Sequence, residues 1–415
     1  MATLATSAPQ ADSLNPPSDP LRVVYSLGRM LGAGDFQADQ DYHRGRLARA
    51  LLQLCGTGTV SGLNVTIPQA WQTGLAYPLS AAIYDGSQNV QVNTGAAGVT
   101  GGTAPAFGAN PGDTVSDGSG VVWTNFGAID TNGWRPHAPF VAPTAIVDSN
   151  KNIQVLKGPG TFTSGGISPV WSTAIGSTTL DGSPPQPAWT CAGPSELEVA
   201  VAPGMAIDRV GRIIEVPRTV CIRIQPWMNE QSVSDLNSAL AASGGSSLLV
   251  DVFAVFASCA RGVTPSFATQ DDYDATDAFS ADRELDSFSM LLVLRSDASP
   301  KLPQDPWLAV GALASGALSA PPSDAIKQNI LAAQTGPGTT PPFANHGVRP
   351  VEIPDTLDAS AVFLARITIP ATAGPATQPP NYDLTKISVD NLKRLFLFPA
   401  ALVARAIGLS SGTQS

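Results

Sequence analysis

The chain has 415 residues, of which 43% are hydrophobic and 13% charged, whereas charged residues usually make up about 25% of a soluble domain. This length suffices for about two or three domains, and the normal apolar share excludes a largely disordered chain. The net charge of −10 argues against nucleic acid as a partner, because an acidic surface repels a phosphate backbone.

Residues 1–20 are rich in Ser, Pro and Ala and are predicted to form a flexible N-terminal arm. They hold no basic stretch followed by an apolar one, so we expect no signal peptide and synthesis in the cytoplasm. No apolar run reaches the ~18 residues that a membrane span needs. The longest candidate, Leu248–Ala257, is interrupted by Asp251. We therefore expect no membrane insertion.

The first regular elements are two strands and a helix. Leu21–Leu27 is predicted to be a short strand, followed by a Gly-rich turn. Asp35 is predicted to be an N-cap, and a helix is expected from there to about Cys55, where Gly56 can stop it. Val60–Ile67 alternates like a strand.

The predicted helix carries its apolar and basic residues largely on different sides. Its apolar positions are Phe36, Leu47, Leu51, Leu54 and Cys55, interspersed with Tyr42, and the basic ones are Arg44, Arg46 and Arg49. Two interpretations of the arginines stay open: a solvated helix face, or a surface that pairs with acidic groups of a partner subunit. In a chain with so few charges this cluster is less ordinary, so it is kept as a candidate partner surface.

A sequence repeat follows, beginning at Trp71 and again at Trp134. The match runs without gaps for over twenty residues and resumes after slips of one and two residues. Matched pairs include Tyr77 and Phe140, Asp85 and Asp148, Asn89 and Asn152, Pro105 and Pro169, Phe107 and Trp171, Asp117 and Asp181, and Trp123 and Trp189. A period of roughly 63 to 66 residues is too long for a solenoid and fits two small tandem domains. It also points away from catalysis and towards display or binding.

The repeats share eight aromatic positions, which are Trp71, Tyr77, Phe107, Trp123, Trp134, Phe140, Trp171 and Trp189. A domain of ~60 residues has a small core, and one aromatic side chain buries ~150–250 Å², so most of these residues should hold the modules together. The alternative is a stacking platform for a glycan. Its exposed members would then be Tyr77 with Phe140, or Phe107 with Trp171, which closely follow a Pro.

Turn signals accompany these aromatic residues. Asp117-Gly118 and Asp181-Gly182 are predicted to be turns, because Gly tolerates positive φ and Asp can bond its own backbone. Asp85 and Asp148 precede small residues and are predicted to lie in the loop of a β-hairpin. A ligand-binding role for these aspartates is the less favoured alternative.

The residues after the repeats are predicted to form mostly strands. These are Leu197–Ala202, Met205–Ile207, Ile213–Val216, Val220–Ile224, Leu248–Phe256, Phe288–Leu294 and Val362–Ile369. The second and third would form a β-hairpin across Asp208–Gly211. Ser232–Ala242 is expected to be a short helix or an ordered loop, Asp324–Ala333 a short helix, and Asp390–Ile407 helical with a break at Pro399.

The sequence lacks the motifs of catalysis and of cofactor binding. It has no Gly-x-Ser-x-Gly, P-loop or His-Glu-x-x-His motif, so no cofactor is expected. Its three histidines are far apart and its cysteines have no CxxC spacing, so no metal site is expected either. Asp271–Asp274 is interpreted as a solvated acidic loop in preference to a calcium site. Free buried thiols are expected, although a disulfide is left open, at Cys55, Cys191, Cys221 and Cys259.

The sequence outside the repeats resembles a known family. Its N-terminal motif runs from Gly28 through Asp35-Phe36-Gln37-Ala38-Asp39-Gln40-Asp41-Tyr42 to the strand Val60-Ser61-Gly62-Leu63-Asn64-Val65. Its second motif is the hairpin Pro203-Gly204-Met205-Ala206-Ile207-Asp208-Arg209-Val210-Gly211-Arg212. In this order the motifs resemble uncharacterised proteins encoded beside phage-tail-like genes, including those of contractile injection systems. In that family the two motifs stand close together, so the resemblance implies an insertion between them.

The expected architecture is a mainly β fold. An α+β framework with one N-terminal helix is expected over residues 21–67 plus 196–415, after the arm at 1–20. Two small tandem all-β modules are expected to be inserted in a β-hairpin loop of this framework. The first β-repeat would span residues 68–130 and the second residues 131–195.

The resemblance implies a structural component of a contractile injection system or phage tail, at the baseplate or the particle periphery, that displays two β-modules. Its partners would be other tail or baseplate subunits, and it would be assembled into a phage-tail-like particle. The alternative is a receptor- or glycan-binding tail protein, because the repeats also resemble small carbohydrate-binding modules. A hydrolase is the least favoured hypothesis, since acidic pairs such as Asp282 and Glu284 lack a catalytic context.

Overall fold

The structure is a computed structural model that describes residues 23, 32–182, 187–261, 264–265, 279–280, 283–297, 300–303, 350–375 and 377–398, some of them by their backbone alone. Strands hold 43% of the residues and helices 13%, which confirms the expected mainly β fold. The arm at 1–20, the segment Asp271–Asp274 and the predicted helix Asp324–Ala333 lie outside the described residues, as does all of the predicted strand Leu21–Leu27 except Val23.

The described helices are α1 (Ala33–Cys55), α2 (Ile224–Asn229) and α3 (Val233–Ala242), with a 3-10 helix at Leu384–Lys386. The described strands are β1 (Gly58–Gly62), β2 (Val65–Thr66), β3 (Ala76–Tyr77), β4 (Ala82–Tyr84), β5 (Asn89–Asn93), β6 (Gly98–Val99), β7 (Thr114–Asp117), β8 (Val121–Asp130), β9 (Pro139–Val147), β10 (Asn152–Thr163), β11 (Thr178–Leu180), β12 (Ala188–Pro194), β13 (Glu198–Val201), β14 (Gly204–Ile207), β15 (Ile213–Val216), β16 (Val220–Arg223), β17 (Ser247–Arg261), β18 (Thr264–Pro265), β19 (Phe279–Ser280), β20 (Arg283–Leu294), β21 (Val362–Thr372), β22 (Asn381–Tyr382) and β23 (Ser388–Asp390).

Helix α1 begins at Ala33, so the prediction of Asp35 as its N-cap is wrong. Gly32 is the N-cap, and the Asp35 carboxylate accepts the Gly32 N–H at 2.9 Å from the third position of the helix. Gly56 ends the helix as predicted, with a φ of +85° that favours glycine at this position.

Helix α1 packs closely against the rest of the fold through a few residues. Ala48 and Leu52 are buried, and a Cβ on Gly211 would lie only 2.0 Å from the Ala48 carbonyl oxygen. Because Gly211 has no side chain, α1 can approach the β14–β15 hairpin this closely. Four of the five apolar positions named for the helix are left exposed instead: Phe36, Leu47, Leu54 and Cys55.

Three sheets surround the large core of the framework, and β18 pairs with β19 in a further two-stranded sheet. Strand β14 lies between β1 and β15, and β13 lies between β16 and β2. The third sheet has the order β20-β17-β21-β22, with β23 also paired to β21. Residues from all three sheets meet in one buried apolar cluster, for example Ala206, Val199 and Val250.

Every strand predicted after the repeats is present, and β17 and β20 are longer than predicted. Ser232 caps helix α3, since its hydroxyl accepts the Asp235 N–H at 3.0 Å. The helix predicted from Asp390 is wrong for residues 391–398, which are not helical. Asn391 holds this segment against β2 by bonding both the N–H and the C=O of Val65, at 2.9 and 2.8 Å.

The two repeats form one sheet of eight strands. In repeat 1 the order is β4-β5-β8 with β7 also on β8, and in repeat 2 it is β9-β10-β12-β11. The repeats join where β8 and β9 pair in parallel, with Ile129 opposite Ala145. They also share a buried cluster that includes Val92 from the first repeat and Ile153 from the second. The repeats are therefore continuous with each other.

The repeat segment connects two strands that pair with each other. Strand β2 precedes it and β13 follows it, and the two are antiparallel with Thr66 opposite Ala200. Two bonds tie the ends together: the Gln69 side chain accepts the Glu198 N–H at 3.0 Å, and the Tyr84 hydroxyl donates to the Ser195 carbonyl at 2.7 Å. Because its ends are adjacent, the segment leaves the framework without opening it.

The Asp251 that interrupts the apolar run is the centre of a buried ionic network. Its Oδ1 lies 2.7 Å from Arg366 Nε, and its Oδ2 lies 2.6 Å from Arg295 Nη1 and 2.9 Å from Arg366 Nη2. Asp251 and Arg295 are almost fully buried. The arginines also donate to the carbonyls of Glu352 and Pro300, so the network joins β17 and β21 to the loops that flank them.

We expect Asp251→Ala to destabilise the framework by about 3–5 kcal/mol, because the buried Arg295 and the largely buried Arg366 would lose their shared counter-charge. Chemical denaturation would measure this loss in the free energy of unfolding. As a control, Glu196→Gln removes the exposed partner of Arg223 and should cost less than ~1 kcal/mol. Equal costs for the two variants would contradict the central role of Asp251.

Candidate functional site

Each repeat is built around one buried carboxylate that binds two tryptophans. In repeat 1, Asp117 Oδ2 accepts the indole N–H groups of Trp71 at 2.7 Å and Trp123 at 2.9 Å. Asp117 Oδ1 accepts the Gly101 N–H at 2.8 Å. One aspartate thereby links the start, the middle and the end of the repeat.

Repeat 2 reproduces this arrangement atom for atom. Asp181 Oδ2 accepts the indole N–H groups of Trp134 at 2.7 Å and Trp189 at 3.2 Å, and Oδ1 accepts the Gly165 N–H at 2.8 Å. Turn chemistry explains the glycine that follows each aspartate, since Gly118 has a φ of +53°. The turn prediction does not account for the second role of these aspartates, which is to bind two tryptophans each. The recurrence of Trp, Asp-Gly and Trp in both repeats could have indicated that role.

Three of the four residues suggested as a glycan platform are buried, so the platform hypothesis is wrong for them. Tyr77 packs edge to face on Trp123 with ring centroids 5.1 Å apart, and Phe140 packs on Trp189 at the same distance. Trp171 is buried beside Trp189. These rings fill the two small aromatic cores, which leaves no face open to a sugar.

The hairpin aspartates of the repeats lie in loops of one geometry, as predicted. Asp85 Oδ1 accepts the N–H groups of Ser87 and Asn89, and Asp148 Oδ1 accepts those of Asn150 and Asn152. Asp208 does the same in the framework hairpin, with Val210 and Arg212. These carboxylates have a structural role, because they accept hydrogen bonds from the backbone of their own loops.

Phe107, the fourth suggested platform residue, is half-buried and lines a cleft between repeat 1 and the framework. The cleft has a volume of about 600 Å³, within the ~300–1,000 Å³ usual for ligand sites. Trp71, Tyr84 and Pro105 line it on the repeat side, and residues 386–389 with Asn391 line it on the framework side. This cleft is the candidate functional site.

Sequence reasoning missed the cleft because its walls are far apart in the chain. The 3-10 helix and β23 are held beside it by the pairing of β23 with β21 and by the bonds of Asn391 to Val65. One signal was present in the sequence: Tyr84 aligns with Val147, so the repeats differ at a cleft position.

Both charged residues among the lining residues are already paired. The Asp85 carboxylate accepts bonds within its own hairpin, including one from Gln91 Nε2 at 2.8 Å, and Lys386 Nζ lies 3.0 Å from Asp383 Oδ2. Burial raises the pKa of Tyr84 well above its usual range, so its hydroxyl stays protonated at neutral pH. Both charged side chains of the cleft wall thus already have hydrogen-bond or ion-pair partners within the protein.

The side chains of two of the three arginines of α1, Arg44 and Arg46, are described. Arg44 is half-buried and Arg46 is exposed. The Arg46 guanidinium donates to the Tyr42 hydroxyl at 3.4 Å and lies 5.7 Å from the centre of that ring. Nothing is described for the Arg49 side chain. Partner contact through this side of the helix stays a prediction.

The described residues offer little for metal or thiol chemistry. Within them, no group of three His, Cys, Asp or Glu side chains could hold a metal ion. All four cysteines are free thiols, but only Cys191 is buried, so the expected burial is wrong for Cys55, Cys221 and Cys259. Burial raises the pKa of the Cys191 thiol, which disfavours the reactive thiolate.

No family model, curated protein or solved structure matches this chain. Within the described part of the chain, no helix combines the length and the apolar character that crossing a membrane requires. The site must therefore be interpreted from its own geometry.

We expect Asp117→Asn and Asp181→Asn to destabilise their repeats by similar amounts. An amide cannot accept all three N–H groups, and each buried donor left unpaired costs about 1–3 kcal/mol. Chemical denaturation followed by tryptophan fluorescence measures this loss. Asp113→Asn, at an exposed loop position, is the control and should change stability by less than ~0.5 kcal/mol. Wild-type stability of either network variant would contradict the shared-acceptor role.

Proposed function

We propose that this chain is a non-enzymatic structural component of a contractile injection system or phage tail, placed at the baseplate or the periphery of the particle. In this role the framework docks on neighbouring subunits and the repeats are displayed outward. The motif resemblance of the framework and the insertion of the repeats between adjacent strands support the proposal.

The observation that carries the display role is a difference between two repeats of the same fold. Ile167 and Val170 of repeat 2 are 87% and 96% exposed, and their counterparts in repeat 1 are Thr103 and Ala106. Val141 of repeat 2 is also exposed. Ile167 and Val170 lie in one loop, and apolar side chains that are concentrated in this way, and not scattered singly, are typical of a contact surface for another protein.

A second surface suits contact with a subunit on the framework side. Helix α1 packs through Ala48 and Leu52 and leaves Phe36, Leu47 and Leu54 exposed. Arg46 is exposed on the same helix. Apolar side chains beside an arginine are common at protein interfaces, so α1 supplies a docking element of the framework.

We expect the double variant Leu47→Ser and Leu54→Ser in α1 to reduce incorporation of the protein into purified particles by about tenfold or more, equal to a binding loss of about 1.4 kcal/mol. Thermal unfolding should not change, since both side chains lie in solvent. Quantitative mass spectrometry of particles measures incorporation.

The matched control is Ile167→Ser with Val170→Ser, which alters exposed apolar side chains of the displayed repeats and should leave incorporation unchanged. Wild-type protein that stays monomeric and never co-purifies with particles would overturn the structural role. Normal incorporation of the α1 variant would overturn the assignment of α1 as the docking element.

A further inference from the structure

The cleft beside repeat 1 combines carbon surface with uncharged polar groups. Its repeat side includes the half-buried rings of Trp71, Tyr84 and Phe107. The Trp71 N–H is bonded to Asp117, and the Tyr84 hydroxyl is bonded to Ser195. The polar atoms of both rings are thus taken by the protein, so these residues offer a ligand mainly their carbon surface.

The framework side and the floor of the cleft supply hydrogen-bonding groups. The side chains of Asn64, Thr66 and Ser388 line the cleft and make no hydrogen bond to any other described residue. Two hydroxyls and one amide are therefore available as donors and acceptors. The charged Asp85 and Lys386 are paired within the protein.

We propose that this cleft binds a neutral saccharide. A pyranose ring has C–H groups on its faces, which pack on aromatic carbon, and hydroxyl groups at its edge, which would bond Asn64, Thr66 and Ser388. An anionic ligand would have to compete with Asp383 for Lys386. A wholly apolar ligand would leave the free polar side chains without partners, at a cost in affinity.

The comparison of the repeats predicts one such site per chain. Tyr84 aligns with Val147, so repeat 2 lacks one of the three rings. Its Trp171, the counterpart of Phe107, is buried. A single weak site per chain would still bind a cell surface firmly if many copies were held on one particle, yet the inference does not depend on the proposed structural role.

The test uses the full chain on an array of neutral and anionic oligosaccharides, followed by calorimetric titration with the strongest neutral binder. Wild-type protein should bind at least one neutral oligosaccharide. Ala104→Trp places a large ring at an exposed position of the cleft wall and should weaken binding tenfold or more.

Ser168→Trp is the matched control, because Ser168 is the exposed counterpart of Ala104 in repeat 2, and it should bind like wild type. Phe107→Ala removes a ring of the cleft wall and should also weaken binding tenfold or more. The thermal unfolding of Phe107→Ala is compared with that of Ala104→Trp. If both variants unfold normally, the weaker binding reflects the lost ring and not a loss of the fold.

Three results would overturn the proposal. The first is wild-type protein that binds no neutral oligosaccharide, or only anionic ones. The second is an Ala104→Trp variant with wild-type affinity. The third is binding of proline-rich peptides, blocked by Ala104→Trp, in a protein that binds no saccharide, which would assign the cleft to a peptide.

Discussion

A buried carboxylate that accepts two indole N–H groups is the constraint on which each repeat depends. Asp117 and Asp181 each collect one tryptophan from the start of a repeat, one from its last strand, and a backbone N–H from the loop between them. A module of this size has little apolar core, so a shared acceptor fixes the orientation of its largest side chains. The aromatic pairs on Trp123 and Trp189 then follow the same geometry.

The use of aspartates inside the fold also bears on the unusual composition of the chain. Few residues are charged, yet six aspartates in the described part of the chain are buried: Asp85, Asp117, Asp148, Asp181, Asp208 and Asp251. Each satisfies backbone N–H groups, indoles or arginines, as a buried charge must. Acidic residues are thus used inside the fold, while much of the surface polarity is left to Ser, Thr, Asn and Gln.

The way in which the repeats connect to the framework bears on both the proposed structural role and the proposed saccharide site. The repeat segment leaves from β2 and returns at β13, and its ends are tied by Gln69 and Tyr84. The parallel pairing of β8 with β9 then attaches the second repeat to the first. Repeat 1 forms the cleft against the framework, and repeat 2 leaves Ile167 and Val170 in solvent. Two copies of one module therefore present two different surfaces.

The sequence by itself determined the mainly β class, the end of α1 at Gly56, the positions of the later strands and the two repeats. These features depend on local alternation, turn residues and internal similarity, which neighbouring residues carry. It also indicated that most repeated aromatics are core. Only the tertiary structure decided which of them reach the surface, because the partial exposure of Phe107 and the burial of Tyr77 depend on packing between distant segments. The cleft itself exists because Asn391 holds the chain next to Val65, a contact across more than three hundred residues that no local pattern encodes.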